Sequence, residues 1–365
     1  MQNCNEKNKI ILMSGDMGLG NFILLEPVLY YFKNIKKIKI KIISFDNNAP
    51  IKYIDSLGYI DEIIHLPQFL VLNRFKILKR ITHIIFLFNK LRTQRNQNIV
   101  LFGRHTYSVK NLILAFIIGG KKSYINILKD DKFIHLYRLL GCNINFYDFD
   151  SHEFYNNVEL AKKITADALI EDTFHFPCAL STEVLIRPPN ADYVLIQAVG
   201  GNIQLWKLWS NDNWKEIILK LVRRGVVVCL TGSNDEYAQV ENLRQSVITL
   251  DGSSAELVKN LSGKLDLPTL GLYVKNAVLV ITADGMLGHV AATFKTKTIC
   301  LIGPGGDGRR PLNENCAVIM ADCACNKSKS INRITQLKIE RCGGACMNKI
   351  SIDCVYDQIE YALSV

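Results

Sequence analysis

The stretch "LVITADGMLGHVAATFKTKTICLIGPGG" (279–306) constrains the fold of this chain more than any other. Leu279–Ile281 reads as a buried strand, and the small-residue segment after it reads as a tight turn onto a helix start. Thr298–Ile302 reads as the next strand, ending in Gly303-Pro304-Gly305-Gly306. A strand, turn, helix and strand in this space form a parallel βαβ crossover. In open α/β layers, ligand chemistry gathers at the carboxyl ends of the strands, where both glycine-rich segments fall.

The same rhythm runs along the rest of the chain. "KIILMS" (9–14) opens as a strand, followed by the loop "GDMGLGN" and a helix from about Phe22 to Asn34. "KIKIKIISF" (37–45) alternates as a second strand. "HIIFLF" and "QNIVLFG" are further runs of strand length, and 109–140 reads as mostly helical. A helix over 151–164 leads to the polar, proline-bearing stretch "STEVLIRPPNADY" (181–193), where the domain boundary is placed. Beyond it, "YVLIQAV" and "VVVCLTG" read as strands and "NDNWKEIILKLVRRG" as a helix closed by Gly225. A length of 365 residues exceeds one typical core. The expected domains are 1–180, 181–345 and a C-terminal helix over 346–365, packing back on the first domain.

No apolar run approaches the roughly 18 residues that span a bilayer. "NLILAFIIGG" (111–120) is better read as a buried helix. The N-terminus lacks a hydrophobic stretch followed by a small-residue cleavage site, so the expected location is cytoplasmic. Charge is uneven. Residues 1–150 hold 22 Lys/Arg against 11 Asp/Glu, whereas the remainder is about neutral. Two readings stand: solvated helix faces, or a surface that meets something anionic such as lipid headgroups or a phosphorylated acceptor. Nucleic acid is not expected, because no aromatic-and-basic motif accompanies the charge. Five of the 11 cysteines lie in 323–354. Free thiols, a local disulfide and a loose zinc site all remain open there; no metal or other cofactor is assigned.

Four polar or glycine-rich segments follow predicted strands: "SGDMGLGN" (14–21), "AVGGNIQLWKLW" (198–209), "TGSNDE" (231–236) and "ADGMLGH" (283–289). Together they suggest a ligand in an interdomain cleft. The first contains G-x-x-G-x-G, so the dinucleotide fingerprint G-x-G-x-x-G is not met. Gly18 and Gly20 there would allow close backbone approach to a ligand. "ADGMLGH" is the better anion site, since the amides from Gly285 through Gly288 to His289 open a helix whose positive end suits a phosphate. Asp284 would cap that helix or order the loop. His289 is either a phosphate donor or a packed structural residue. Lys207, between two tryptophans, is placed to reach a diphosphate.

These segments, in order, resemble glycosyltransferase family 9, the lipopolysaccharide heptosyltransferase family. "GLGNFILLEPVLYYFK", "APIKYIDSLGYIDEIIHL" and "WKLWSNDNWKEIILKLVRRGVVVCLTGSNDE" are similar to its opening segment, next helix and strand, and K-x-W to T-G-x-x-x-E run. "LSGKLDLPTLGLYVKNAVLVITADGMLGHVAATFKTKTICLIGP" is the most specific part. The resemblance implies a GT-B architecture: two Rossmann-like α/β/α domains facing across a cleft. It also implies inverting, metal-independent transfer from a nucleotide-sugar donor, ADP-heptose or another. The acceptor would be an anionic glycolipid or oligosaccharide met at the inner membrane surface. Carried over residue by residue, Lys207 would contact donor phosphate or sugar. Glu236 would contact the nucleoside, and Thr231, Gly232, Asp284, Gly285, Gly288 and His289 would line the donor site.

Two departures stand out. The family's base aspartate lies six residues before the proline of its first helix, and counting back from Pro27 gives Asn21, which cannot take a proton. Asp16, in the same glycine-rich loop, is the better candidate base, with Glu26 also nearby. The family's D-[ST]-G is here Asp284-Gly285-Met286, without the hydroxyl. Two other classes stay open: a nucleotide-sugar epimerase of the same architecture, and a catalytically silent nucleotide-sugar-binding protein.

Overall fold

A computed structural model of the chain describes residues 10–14, 18–44, 49–65, 98–101, 109–118, 120–129, 131–148, 151–165, 170–171, 173–179, 186–199, 207–303, 308, 310–322 and 345–364. Two compact units divide between His175 and Phe176.

In the first unit, β1 (Ile10–Ser14), β2 (Lys39–Ser44), β3 (Glu62–His65), β4 (Asn98–Leu101), β5 (Ser123–Ile127) and β6 (Asn143–Phe146) form one sheet in the order 3-2-1-4-5-6. Every pairing in it is parallel. Helices α1 (Leu19–Tyr30), α2 (Ala49–Ser56), α3 (Val109–Ile118), α4 (Ile134–Leu139) and α5 (Glu153–Thr165) connect or flank the strands. Helix α1 is apolar all round, as its sequence "FILLEPVL" dictates, and Phe22 to Leu29 are all buried. Its one charge, Glu26, is fully buried and fully committed. Its carboxylate accepts the Tyr59 hydroxyl at 2.6 Å and the His175 backbone N–H at 2.8 Å, and lies 3.0 Å from His175 Nδ1. Burial raises its pKa, while the hydrogen bonds from Tyr59 and His175 pull the other way.

Strand β5 departs from the expectation of a mostly helical 109–140, and β6 follows just beyond that segment. In "SYINI" the apolar alternation is broken by Ser123 and Asn126, both fully buried. Asn126 is tolerated because its Oδ1 accepts from Asn145 Nδ2, its register partner on β6, at 2.8 Å. The predicted strand "HIIFLF" (83–88) lies outside the described residues.

The second unit repeats the plan. Its strands are β7 (Tyr193–Gln197), β8 (Val227–Leu230), β9 (Val258–Asn260), β10 (Leu279–Ala283), β11 (Thr298–Ile302) and β12 (Cys316–Met320). They stand in the order 12-11-10-7-8-9, again all parallel, which is the first sheet's order counted from β7. Helices α6 (Asn211–Val222), α7 (Tyr237–Leu250), α8 (Leu267–Asn276), α9 (Met286–Thr293) and α10 (Ile352–Ser364) complete it. The side chain of Ser210 caps α6 by accepting from Asn213 N. Trp214, Ile217, Ile218, Leu221 and Val222 then recur at helical spacing and go into the core. Helix α10 buries Val355 and Ile359 in this same core. No helix among the described residues is long and apolar enough to cross a membrane.

Gly271 shows how tightly α8 is covered. A Cβ there would stand 2.3 Å from the Pro177 carbonyl oxygen and 3.2 Å from the Phe176 ring. The backbone of 176–179 is also tied to α8 by Ala179 N donating to Pro268 O at 2.9 Å. Backbone cannot yield as a flexible side chain can. Gly271→Ala should therefore destabilise the fold by about 1–3 kcal/mol, read as a lower urea midpoint. An unchanged midpoint would show that the 176–179 segment is free to move off the helix.

Candidate functional site

In a sheet of order 3-2-1-4-5-6, connections leave in opposite directions from the first and fourth strands, opening a crevice at their carboxyl ends. In the second unit that point lies between β7 and β10. Their register ends on the pair Gln197 and Thr282. The segments just beyond carry most of the residues singled out in the sequence.

Helix α9 starts there with Gly285 as its N-cap, in extended conformation and with no side-chain cap. Asp284 is thus not the cap. It pairs instead with Lys207, Nζ to Oδ2 at 2.8 Å, and both side chains are largely buried. Lys207 also reaches toward the Asp284 carbonyl at 3.5 Å. A cation and the amides of a helix N-terminus are thereby brought to one strand end. The base of the Lys207 segment is anchored two residues on. Trp209 is buried, stacks edge-on against Trp214 at 5.1 Å, and donates its indole N–H to Ile350 O at 3.0 Å. The C-terminal segment therefore helps fix where Lys207 stands.

Of the other donor-site candidates, His289 is buried on α9. Gly288 faces inward: a Cβ there would meet Pro311 Cγ at 2.8 Å and Thr282 Cγ2 at 3.3 Å. A side chain at 288 would therefore crowd Pro311 and Thr282. Thr231 and Gly232 follow β8, beside β7, with Thr231 N bonded to Ile196 O at 2.9 Å. Glu236 is buried within that loop and accepts the Ser233 N–H at 2.6 Å in a capping box. Gly232 makes room for this carboxylate, since a Cβ would stand 2.9 Å from Glu236 Oε2. The observed work of Glu236 is thus ordering the loop.

Gln197 was not foreseen. Its Oε1 accepts the Leu287 N–H of α9 at 3.3 Å and lies 3.3 Å from the Thr282 hydroxyl. A polar residue closing the apolar run "YVLI" was the signal available in the sequence. Under the same turn, Cys300 is fully buried, and burial pushes its thiol well above the usual range, so it is no nucleophile.

In the first unit the corresponding point lies at the carboxyl end of β1. Gly18 is the extended N-cap of α1, without a side-chain cap. Gly20 and Asn21 stand half-buried in the helix's opening turn. Asp16 lies outside the described residues. Glu26, buried and hydrogen-bonded as described, is not available to take a proton from a substrate. No group of three or more His, Cys, Asp or Glu among the described residues is placed to hold a metal ion. Cys323, Cys325 and Cys342 lie outside them.

Comparison with known proteins bears on this arrangement directly. The family model for glycosyltransferase family 9 (heptosyltransferase) matches residues 158–338. Lipopolysaccharide heptosyltransferase 3 of Escherichia coli (strain K12) is 36% identical over 113 residues, 30% of this chain and 30% of the relative's length. The chain thus matches under a third of that curated relative. Among solved structures, a glycosyl transferase family 9 protein from Veillonella parvula superposes with a TM-score of 0.70 at 15% identity, covering 97% of each chain. The E. coli heptosyltransferase WaaC with ADP superposes with a TM-score of 0.61 at 16% identity, covering 91% of this chain and 99% of the other. At these identities the superpositions speak for the fold. With the strand order of both sheets they show that the chain has the GT-B fold, and its residues 158–338, just under half of it, are similar to glycosyltransferase family 9.

Proposed function

We propose that the chain is an inverting glycosyltransferase moving heptose or another sugar from a nucleotide-sugar donor to a lipopolysaccharide or other surface-glycan acceptor. The observation that carries this reading is the Lys207–Asp284 pair beside the N-terminus of α9, whose N-cap Gly285 has no side chain, at the switch point of a sheet within the family match. The second domain holds the donor and the first receives the acceptor. The acceptor hydroxyl attacks the anomeric carbon, the carbon–oxygen bond to the diphosphate breaks, and configuration inverts. The leaving diphosphate keeps the bonding electrons, and Lys207 with the α9 amides stabilises its charge. Those groups supply the positive charge that a divalent cation supplies elsewhere, so transfer needs no metal.

The acceptor is anionic, met at the cytoplasmic face of a membrane. The excess of basic residues in 1–150 supports this, and Lys37, Lys39, Lys121, Lys122, Lys132 and Arg138 are exposed. Asp16 takes the acceptor proton, while the Asn21 carboxamide orients the hydroxyl. A second reading, a silent nucleotide-sugar-binding protein, is favoured by one observation. Asparagine occupies the opening turn of α1, where a base is needed.

Lys207→Ala should weaken ADP or UDP binding by roughly 1.5–3 kcal/mol, the worth of one charge-assisted contact. Calorimetry showing unchanged affinity would remove Lys207 from the site. Catalysis is tested by transfer of radiolabelled sugar to extracted lipid, run in EDTA. Asp16→Asn should lower turnover at least about 100-fold with donor affinity near wild type, and Asn21→Asp should be tolerated or faster. Normal turnover by Asp16→Asn would exclude Asp16 as the base. No transfer by the wild-type chain would favour the silent reading.

A further inference from the structure

Gln197 closes β7 at the switch point, opposite Thr282. Its carboxamide accepts the Leu287 backbone N–H, and only an oxygen can accept, so this contact fixes which way the group faces. Leu287 is the second residue of α9, and its amide is one that an N-cap side chain ordinarily takes. Gly285 has no side chain to offer. Gln197 therefore caps α9 from the neighbouring strand. A Cβ on residue 285 would stand 3.0 Å from Gln197 Oε1, so a serine at 285 would crowd the glutamine and compete with it for the cap.

With Oε1 committed, Nε2 and its two hydrogens are left over. Gln197 is half-buried, and Nε2 has no hydrogen-bond partner among the described residues. Residue 284, beside the Gly285 it touches, carries the carboxylate paired with Lys207. We infer that Gln197 is a donor-contacting residue, holding the first turn of α9 through Oε1 and donating from Nε2 to an anionic oxygen of the nucleoside diphosphate. This rests on the donor-site reading above. A neutral amide suits both tasks. A carboxylate in its place would still cap the helix but would repel the ligand.

The test uses the full chain, with ADP and UDP as calorimetric probes and thermal unfolding without nucleotide. Gln197→Glu keeps an acceptor for Leu287, so Tm should hold within about 2 °C. Its binding should weaken at least about tenfold. Gln197→Ala should lose both affinity and Tm. Gly285→Ser should lower Tm in the wild-type background and raise it in Gln197→Ala, where the serine caps without hindrance. Binding by Gln197→Glu within about twofold of wild type would overturn the ligand contact. Failure of the serine to rescue Gln197→Ala would overturn the cap. If the wild-type chain binds neither nucleotide, the donor reading fails and the contact with it, while the unfolding data still decide the cap.

Discussion

The parallel pairing of β7 with β10 is the constraint on which the candidate site depends. These strands are remote in sequence, yet their register ends on adjacent polar residues, Gln197 and Thr282. That register sets where α9 begins and where the loop bearing Lys207 must come down. A one-residue slip would turn Gln197 into the other face of the sheet and leave Leu287 N without its acceptor. The apolar strands "YVLI" and "LVIT", buried on both faces, supply the energy that holds this register. The site adds polar groups at the strand ends, where the core no longer reaches.

The second layer of support is also hydrophobic. Lys207 is a long, flexible side chain on a loop, and its position is set by Trp209 buried two residues away. The Trp209 indole reports to Ile350, in the segment leading into α10. Residues far apart in the chain thus converge beneath one ammonium group. In the first unit the balance differs. Helix α1 is sunk in the core over Phe22 to Leu29, and Glu26 anchors Tyr59 and His175 rather than facing substrate.

Much of this was legible in the sequence. The run over 279–306 gave β10, α9 and β11 because strand, turn and helix periods change sharply there. The GT-B fold followed from the resemblance that the motifs carry. Strands β5 and β6 were hidden, because Ser123, Asn126 and Asn145 interrupt the apolar pattern, and the bond from Asn145 to Asn126 forms only once the strands pair. Within the site, residue types were readable but partners were not. Asp284, read as capping the helix or ordering the loop, is the ion-pair partner of Lys207. At Gly288 the structure adds a close neighbour, Pro311, that leaves no room for a side chain. Glu236 has its carboxylate turned into its own loop. A cap delivered from another strand, as by Gln197, has no local spacing to betray it.

The central claim is that the β7–β10 switch point of the second unit binds a nucleoside diphosphate. Backbone hydrogen exchange with and without saturating ADP or UDP tests it most directly, since amides that donate to the ligand exchange more slowly. Slowed exchange over 284–289, with lesser effects at 197–199 and 231–236, is the expected result. Nucleotide binding that leaves the amides of 284–289 unprotected would contradict it.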